Sequence, residues 1–166
     1  MDINKYQSLS LNFVNTLESF KTKFKALHWS APQLTYHREI DEFLDDLIEF
    51  QDEIAECSQG YIGSQFGVND IRGTHLPYTD AVQTTEALNQ EVVKFYQAIK
   101  NDDSLQGIVN IVNDFQQEIL ETLYLFRLAT KDGNNTFVTT KTTSFEGLSR
   151  MVNKPSSSNT QIDLTD

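Results

Sequence analysis

Apolar residues recur at helical spacing through most of the first 130 positions. Phe13, Leu17, Phe20, Phe24 and Leu27 step by four, three, four and three, which predicts a first helix over about 8 to 28. Ser30-Ala31-Pro32-Gln33 follows. Ser30 with Gln33 three positions on has the form of a capping box, and Pro32 suits a first helical turn. A second helix is therefore expected from about 31 to 57, with Ile40, Phe43, Leu44, Leu47, Ile48 and Ile54 as its apolar residues. The periodicity then breaks. Residues 58–78 hold Gly60, Gly63, Gly67, Gly73 and Pro77, with Tyr61, Ile62, Phe66 and Ile71 between them, which reads as a long connection with room for one short helix. Val82, Leu88, Val92, Val93, Tyr96 and Ile99 predict a third helix over about 79 to 100. Asn101-Asp102-Asp103-Ser104 is a cap and turn. Leu105, Ile108, Val112, Phe115, Ile119, Leu123 and Phe126 carry a fourth helix that ends near Ala129, before the stop Asp132-Gly133-Asn134-Asn135.

Two short connections around one long connection describe an all-α fold, a ferritin-like four-helix bundle with a long crossover from the second helix to the third. The long link is required when the second and third helices run parallel, because the chain must then travel the length of the bundle. Residues 1–130 are the expected bundle. Residues 131–166 read as a polar C-terminal tail, Thr-rich over 136–143 and expected to be disordered towards its end. There is no internal repeat.

Composition narrows the function. Hydrophobic residues are 39% of the 166, enough for a core, and the formal net charge is −11. The tail carries four basic and four acidic residues, so the whole excess sits on residues 1–130, with 9 basic against 20 acidic. That balance opposes DNA binding, which needs cations facing phosphates, and suits a cation partner. Lys21, Lys23 and Lys25 are spaced by two and spread around a helix, so they form no nucleic-acid stripe. The lone Cys57 excludes an intramolecular disulfide and a cysteine-only zinc site. No run approaches the roughly 18 apolar residues of a membrane helix, and MDINKYQSLS lacks a signal-peptide core. A cytoplasmic location is the expectation.

The second helix carries the chemistry. His37 and Asp41 are four apart, and so are Asp52 and Glu56. At helical pitch, Asp41, Asp52 and Glu56 lie about 40°, 60° and 100° around from His37, all within one arc. Imidazole with carboxylate suits iron, manganese or zinc. Asp41 and Asp52, however, are separated by roughly 16 Å along the axis, far beyond ligand bonds of about 2 Å. One chain cannot close a site with both pairs. A two-fold axis that lays this helix antiparallel to its copy brings His37 and Asp41 of one chain to Asp52 and Glu56 of the other, twice per dimer.

Ala26-Leu27-His28-Trp29, His37-Arg38-Glu39-Ile40-Asp41 and Asp52-Glu53-Ile54-Ala55-Glu56 together resemble the Dps-like mini-ferritins. The family has His-Trp ending the first helix, His-x-x-x-Asp opening the second and Asp-x-Ile-Ala-Glu closing it. The likeness implies that His28, His37 and Asp41 of one subunit face Asp52 and Glu56 of its two-fold mate as metal ligands. It further implies a ferroxidase centre between subunits, oxidation of iron(II) to iron(III) preferentially by hydrogen peroxide, and storage of iron mineral in a hollow homo-oligomer, a dodecamer. The family's lysine-rich DNA-binding arm has no counterpart, since the first 20 residues hold Lys5 alone as a basic residue. His28 and His37 are nine residues apart, a shorter connection than the family's.

Plainer readings stand beside this one. An acidic helix face is commonly just solvated. His28 alone fits a capping or core role, Trp29 fits packing, and Cys57 is expected to be buried. The rival function is a non-catalytic ferritin-like shell or interaction protein that recruits an unknown partner through its tail. A metal store or manganese binder without peroxide chemistry is a third reading.

Overall fold

A computed structural model of the chain describes residues 1–131. The tail expected over 131–166 lies, beyond Lys131, outside the described residues. The described elements are α1 (Ile3–Ser30), α2 (Leu34–Ile62), α3 (Ala81–Ile99), a 3-10 turn (Asp103–Leu105) and α4 (Gln106–Lys131). No strand occurs among the described residues.

Carboxylates start three of these elements. Asp2 accepts from the amides of Asn4 and Lys5, Asp80 from Gln83, and Asp102 from Ser104, each satisfying backbone donors that have no helical partner. The second helix departs from expectation at both ends. The capping box does not form: α1 runs through Ser30, whose hydroxyl donates back to the Leu27 carbonyl, and Gln33 caps α2 without a side-chain bond. Ser30 is helical, so it cannot take the extended backbone that an N-cap needs. At the other end α2 continues past Cys57 to Ile62. It stops at Gly63, whose φ of 75° is the left-handed conformation that closes helices and that glycine alone adopts without strain. The room left for a short helix in the connection is not used: residues 63–80 contain none.

The four helices bury an apolar core in which a set of aromatic rings packs together. Phe13 stacks on Phe95 at 4.1 Å and meets Phe50 edge-on, while Phe50 stacks on Phe115 at 3.9 Å. Phe43 meets Phe24 at 5.0 Å and Phe126 at 6.1 Å. Each such side chain contributes roughly 1.5–3 kcal/mol through removal from water, and ring pairs add about 0.5–1.5 kcal/mol. These pairs also fix direction. Low numbers on α1 meet high numbers on α2 (Tyr6 with Ser58, Phe24 with Phe43), so the two helices are antiparallel. The same logic makes α2 antiparallel to α4 through Tyr36–Phe126 and Phe50–Phe115. The amide of Ala81, opening α3, donates to the Tyr36 hydroxyl near the start of α2 at 3.1 Å.

The segment joining α2 to α3 is fastened along α1. The Asn15 amide donates to the Asp70 carbonyl and its oxygen accepts from the Arg72 amide, while the Ser19 hydroxyl accepts from the Thr74 amide. Gly73 lies so close to α1 that a Cβ would sit 3.3 Å from Cγ of Glu18. Cys57 is exposed, contrary to expectation. It follows Glu56 on the outer side of α2, and the apolar stripe passes it by for Ile54 and Ser58.

Candidate functional site

His28 closes α1 and His37 opens α2, so the short Ala31–Gln33 link sets the two imidazoles against each other. The rings lie 3.8 Å apart, tilted by 33°. Their hydrogen bonds cross. Nδ1 of His37 donates to the His28 carbonyl at 2.9 Å, and Nδ1 of His28 approaches the His37 carbonyl at 3.3 Å. A carbonyl can only accept, so these bonds assign the hydrogen to Nδ1 in both rings. In the neutral ring the lone pair then resides on Nε2. Oδ1 of Asp41 lies 3.3 Å from Nδ1 of His28, one helical turn below His37. Three of the five expected ligands, His28, His37 and Asp41, are thus neighbours at one end of the α1–α2 pair.

Asp52 and Glu56 are not brought to them. Both are exposed near the other end of α2, one turn apart on the same side of the helix, and neither has an ion-pair partner among the described residues. Correspondingly, no three His, Cys, Asp or Glu side chains among the described residues converge to hold a metal ion within one chain. His28 is buried and His37 half-buried, whereas Asp41 keeps 52% of its side chain exposed. The His28–His37 end thus holds two oriented imidazoles beside a half-exposed carboxylate. Asp52 and Glu56 are a pair of carboxylates facing outwards.

The face between these two groups is not purely acidic. Ile48 is 39% exposed and Trp29, beside His28, is 73% exposed, so Trp29 does not serve the core as expected. Nζ of Lys25 sits 5.9 Å above the Trp29 ring, within cation–π range. Beneath this surface, Gln51 is buried and joins the two helices: its amide nitrogen donates to the Val14 carbonyl and to Glu18, and its oxygen accepts from Lys21. Sequence reasoning missed this hub. Its signal was a polar residue on the apolar stripe, between Leu47 and Ile54. The crossed histidine bonds had no such signal, since they depend on the exact course of the link.

No helix of the described residues is long and apolar enough to cross a membrane. The chain has no match among curated proteins or solved structures. Residues 28–126, from His28 through most of α4, match a family model, and the chain therefore belongs to a family of unknown function, DUF5856.

Proposed function

We propose that this protein is a Dps-like ferroxidase built on a ferritin-like bundle, whose substrate iron(II) is held between two copies of the chain and stored in an oligomeric shell. The crossed His28–His37 bonds carry this reading. They engage Nδ1 of both rings and leave both Nε2 atoms as lone-pair donors, with the Asp41 carboxylate 3.3 Å from Nδ1 of His28. A second-sphere bond that fixes the tautomer in this way is what metal-binding histidines require. The approach of the α3 start to Tyr36, near the start of α2, supports the long crossover.

Two imidazoles and up to three carboxylates form a donor set of intermediate hardness, suited to iron(II) and, through its oxygens, to iron(III). Completion by Asp52 and Glu56 of the partner subunit accounts for their exposure, and a two-fold axis provides the arrangement twice. The chain's own part is to orient the imidazoles, to supply negative charge that attracts iron(II), and to hold a half-exposed carboxylate beside them. Electrons pass from iron(II) to an oxidant bound from solution, for which hydrogen peroxide is proposed. The cytoplasm and a closed dodecamer belong to the same reading.

Asp52→Asn/Glu56→Gln provides the test, because these side chains take no part in the fold. Iron(II) oxidation by peroxide, followed by absorbance, should slow at least tenfold with the assembly intact. An unchanged rate overturns the ferroxidase reading. It would favour the alternative in which the crossed histidines merely staple the α1–α2 link of a non-catalytic shell.

A further inference from the structure

Residues 19–38 hold four basic residues, Lys21, Lys23, Lys25 and Arg38, and no Asp or Glu, while the rest of residues 1–130 holds five basic and all 20 acidic ones. In the fold this stretch is the last turns of α1, the link and the first turn of α2, so it forms one end of the α1–α2 pair. Lys21 pairs with Glu18, but Lys23, Lys25 and Arg38 have no carboxylate partner among the described residues. The apolar side chains at this end also face water: Trp29 is exposed, Leu34 is 67% exposed, and Pro32 between them is exposed. Lys25 lies four residues before Trp29 and Arg38 four after Leu34, about 6 Å of helix rise in each case, and Lys23 lies about 9 Å back. Asp41 and Glu42 are further from Leu34, at about 10–12 Å. Charges are screened over about 8 Å at physiological salt, so a surface that touches the link meets the cations first. Asp80, which the start of α3 brings to this end, is half-buried and accepts from the Gln83 amide.

We infer that the α1–α2 link docks on the surface of an anionic lipid bilayer, with Trp29 and Leu34 entering the interface and Lys23, Lys25 and Arg38 facing headgroup phosphates. An indole has an apolar body and one N–H, and it settles at headgroup depth. Lysine stems lie along apolar surface while their ammonium groups stay with phosphate, and Lys25 already spans the Trp29 ring in this way. The lysines are spread around α1 rather than along one side of it. A partner lying along the helix meets them one at a time, whereas a flat surface met end-on at the link meets them together. A nucleic-acid duplex needs the stripe that is missing here and leaves Trp29 and Leu34 in water. Apolar insertion and attraction to anionic lipid are the two terms that hold a protein reversibly on a membrane without crossing it. This docking needs neither metal nor a second copy, so it stands apart from the ferroxidase reading.

The test is flotation of the chelator-treated, full-length protein with vesicles of phosphatidylcholine, alone or mixed with phosphatidylglycerol. Trp29 is the chain's one tryptophan, so its emission reports the contact directly. Wild type should float with the mixed vesicles and not with phosphatidylcholine alone, and brominated acyl chains should quench Trp29. Lys23→Gln/Lys25→Gln should weaken partitioning about 25-fold, at roughly fivefold per cation. Trp29→Ala/Leu34→Ala should weaken it about tenfold or more, and Leu120→Ala, exposed on α4, should leave it unchanged, all with unchanged helical content. Absence of flotation, flotation indifferent to phosphatidylglycerol, or floating protein whose Trp29 is not quenched overturns the inference. A Trp29 emission change on adding duplex DNA, with none on adding vesicles, overturns it in favour of a nucleic-acid partner. Iron(II) oxidation is read on the same proteins. Lys23→Gln/Lys25→Gln should keep the wild-type rate, so failure to float and failure to oxidise iron are separate results.

Discussion

The two ends of the α1–α2 pair are each cross-linked by polar and aromatic side chains, and they differ in what they leave open. At one end the Tyr6 hydroxyl bonds Ser58 at 2.8 Å in full burial, and Tyr61 packs edge-on against Tyr6. Tyr61 bonds Ser104, Ser104 bonds Asp102, and Asp102 pairs with the Met1 α-ammonium. Nearly every group there is engaged by another. At the opposite end the His28–His37 bonds use one nitrogen of each ring and leave the other, with Asp41 half in solvent beside them. Both ends hold the helices together, but one is finished and the other has valences to spare. A closed network is what stability asks for, and a half-satisfied one at a surface is where a ligand or partner belongs.

Substitutions can break this contrast. The largest stability loss should come at the closed end: Tyr6→Ala removes a fully buried ring and should cost about 3–5 kcal/mol, read from denaturant midpoints. Tyr6→Phe keeps the ring but strands Ser58 and should cost about 1–2 kcal/mol. Burial pushes the Tyr6 phenol above its ordinary value, so its contribution is present below pH 10.0 and lost as pH rises further. The Phe variant should therefore show a flatter alkaline limb. His37→Ala, at the open end, should cost about 1 kcal/mol or less in the same denaturation, while abolishing iron(II) oxidation. Equal losses of stability at both ends would remove the contrast. The smallest effect should be that of Asp102→Asn. The Met1 ammonium and the Ser104 hydroxyl lower the Asp102 pKa from 3.8 to about 2, so its contribution is present above pH 3.8 and fades as pH falls towards 2. Wild type and variant should converge in thermal stability over that acid range.

Much of the bundle was legible because burial imposes a period. Phe13 through Leu27 and Leu105 through Phe126 read directly as inward stripes, and the same residues are the core. What could not be read depends on contacts distant in sequence. Asn15 and Ser19 look like ordinary helix residues, yet they fasten a segment 55 or more positions away. The helix ends were misjudged where a local motif competed with tertiary packing: Ser30 has the right residues around it for a cap, but α1 extends over it. The candidate site was legible in part. The four-residue steps placed His37 with Asp41 and Asp52 with Glu56, and helix rise alone kept the pairs apart. The crossed bonds to His28 come from the length of the link, which no periodicity encodes.

Subunit complementation tests the shared site most directly. A His37→Ala/Asp41→Ala chain and an Asp52→Asn/Glu56→Gln chain, each inactive alone, are unfolded together and reassembled, and iron(II) oxidation by peroxide is measured. Sites built across a two-fold axis predict recovery of about a quarter of the wild-type rate, since half the pairs are mixed and each holds one intact site. A mixture no faster than either parent would contradict the account.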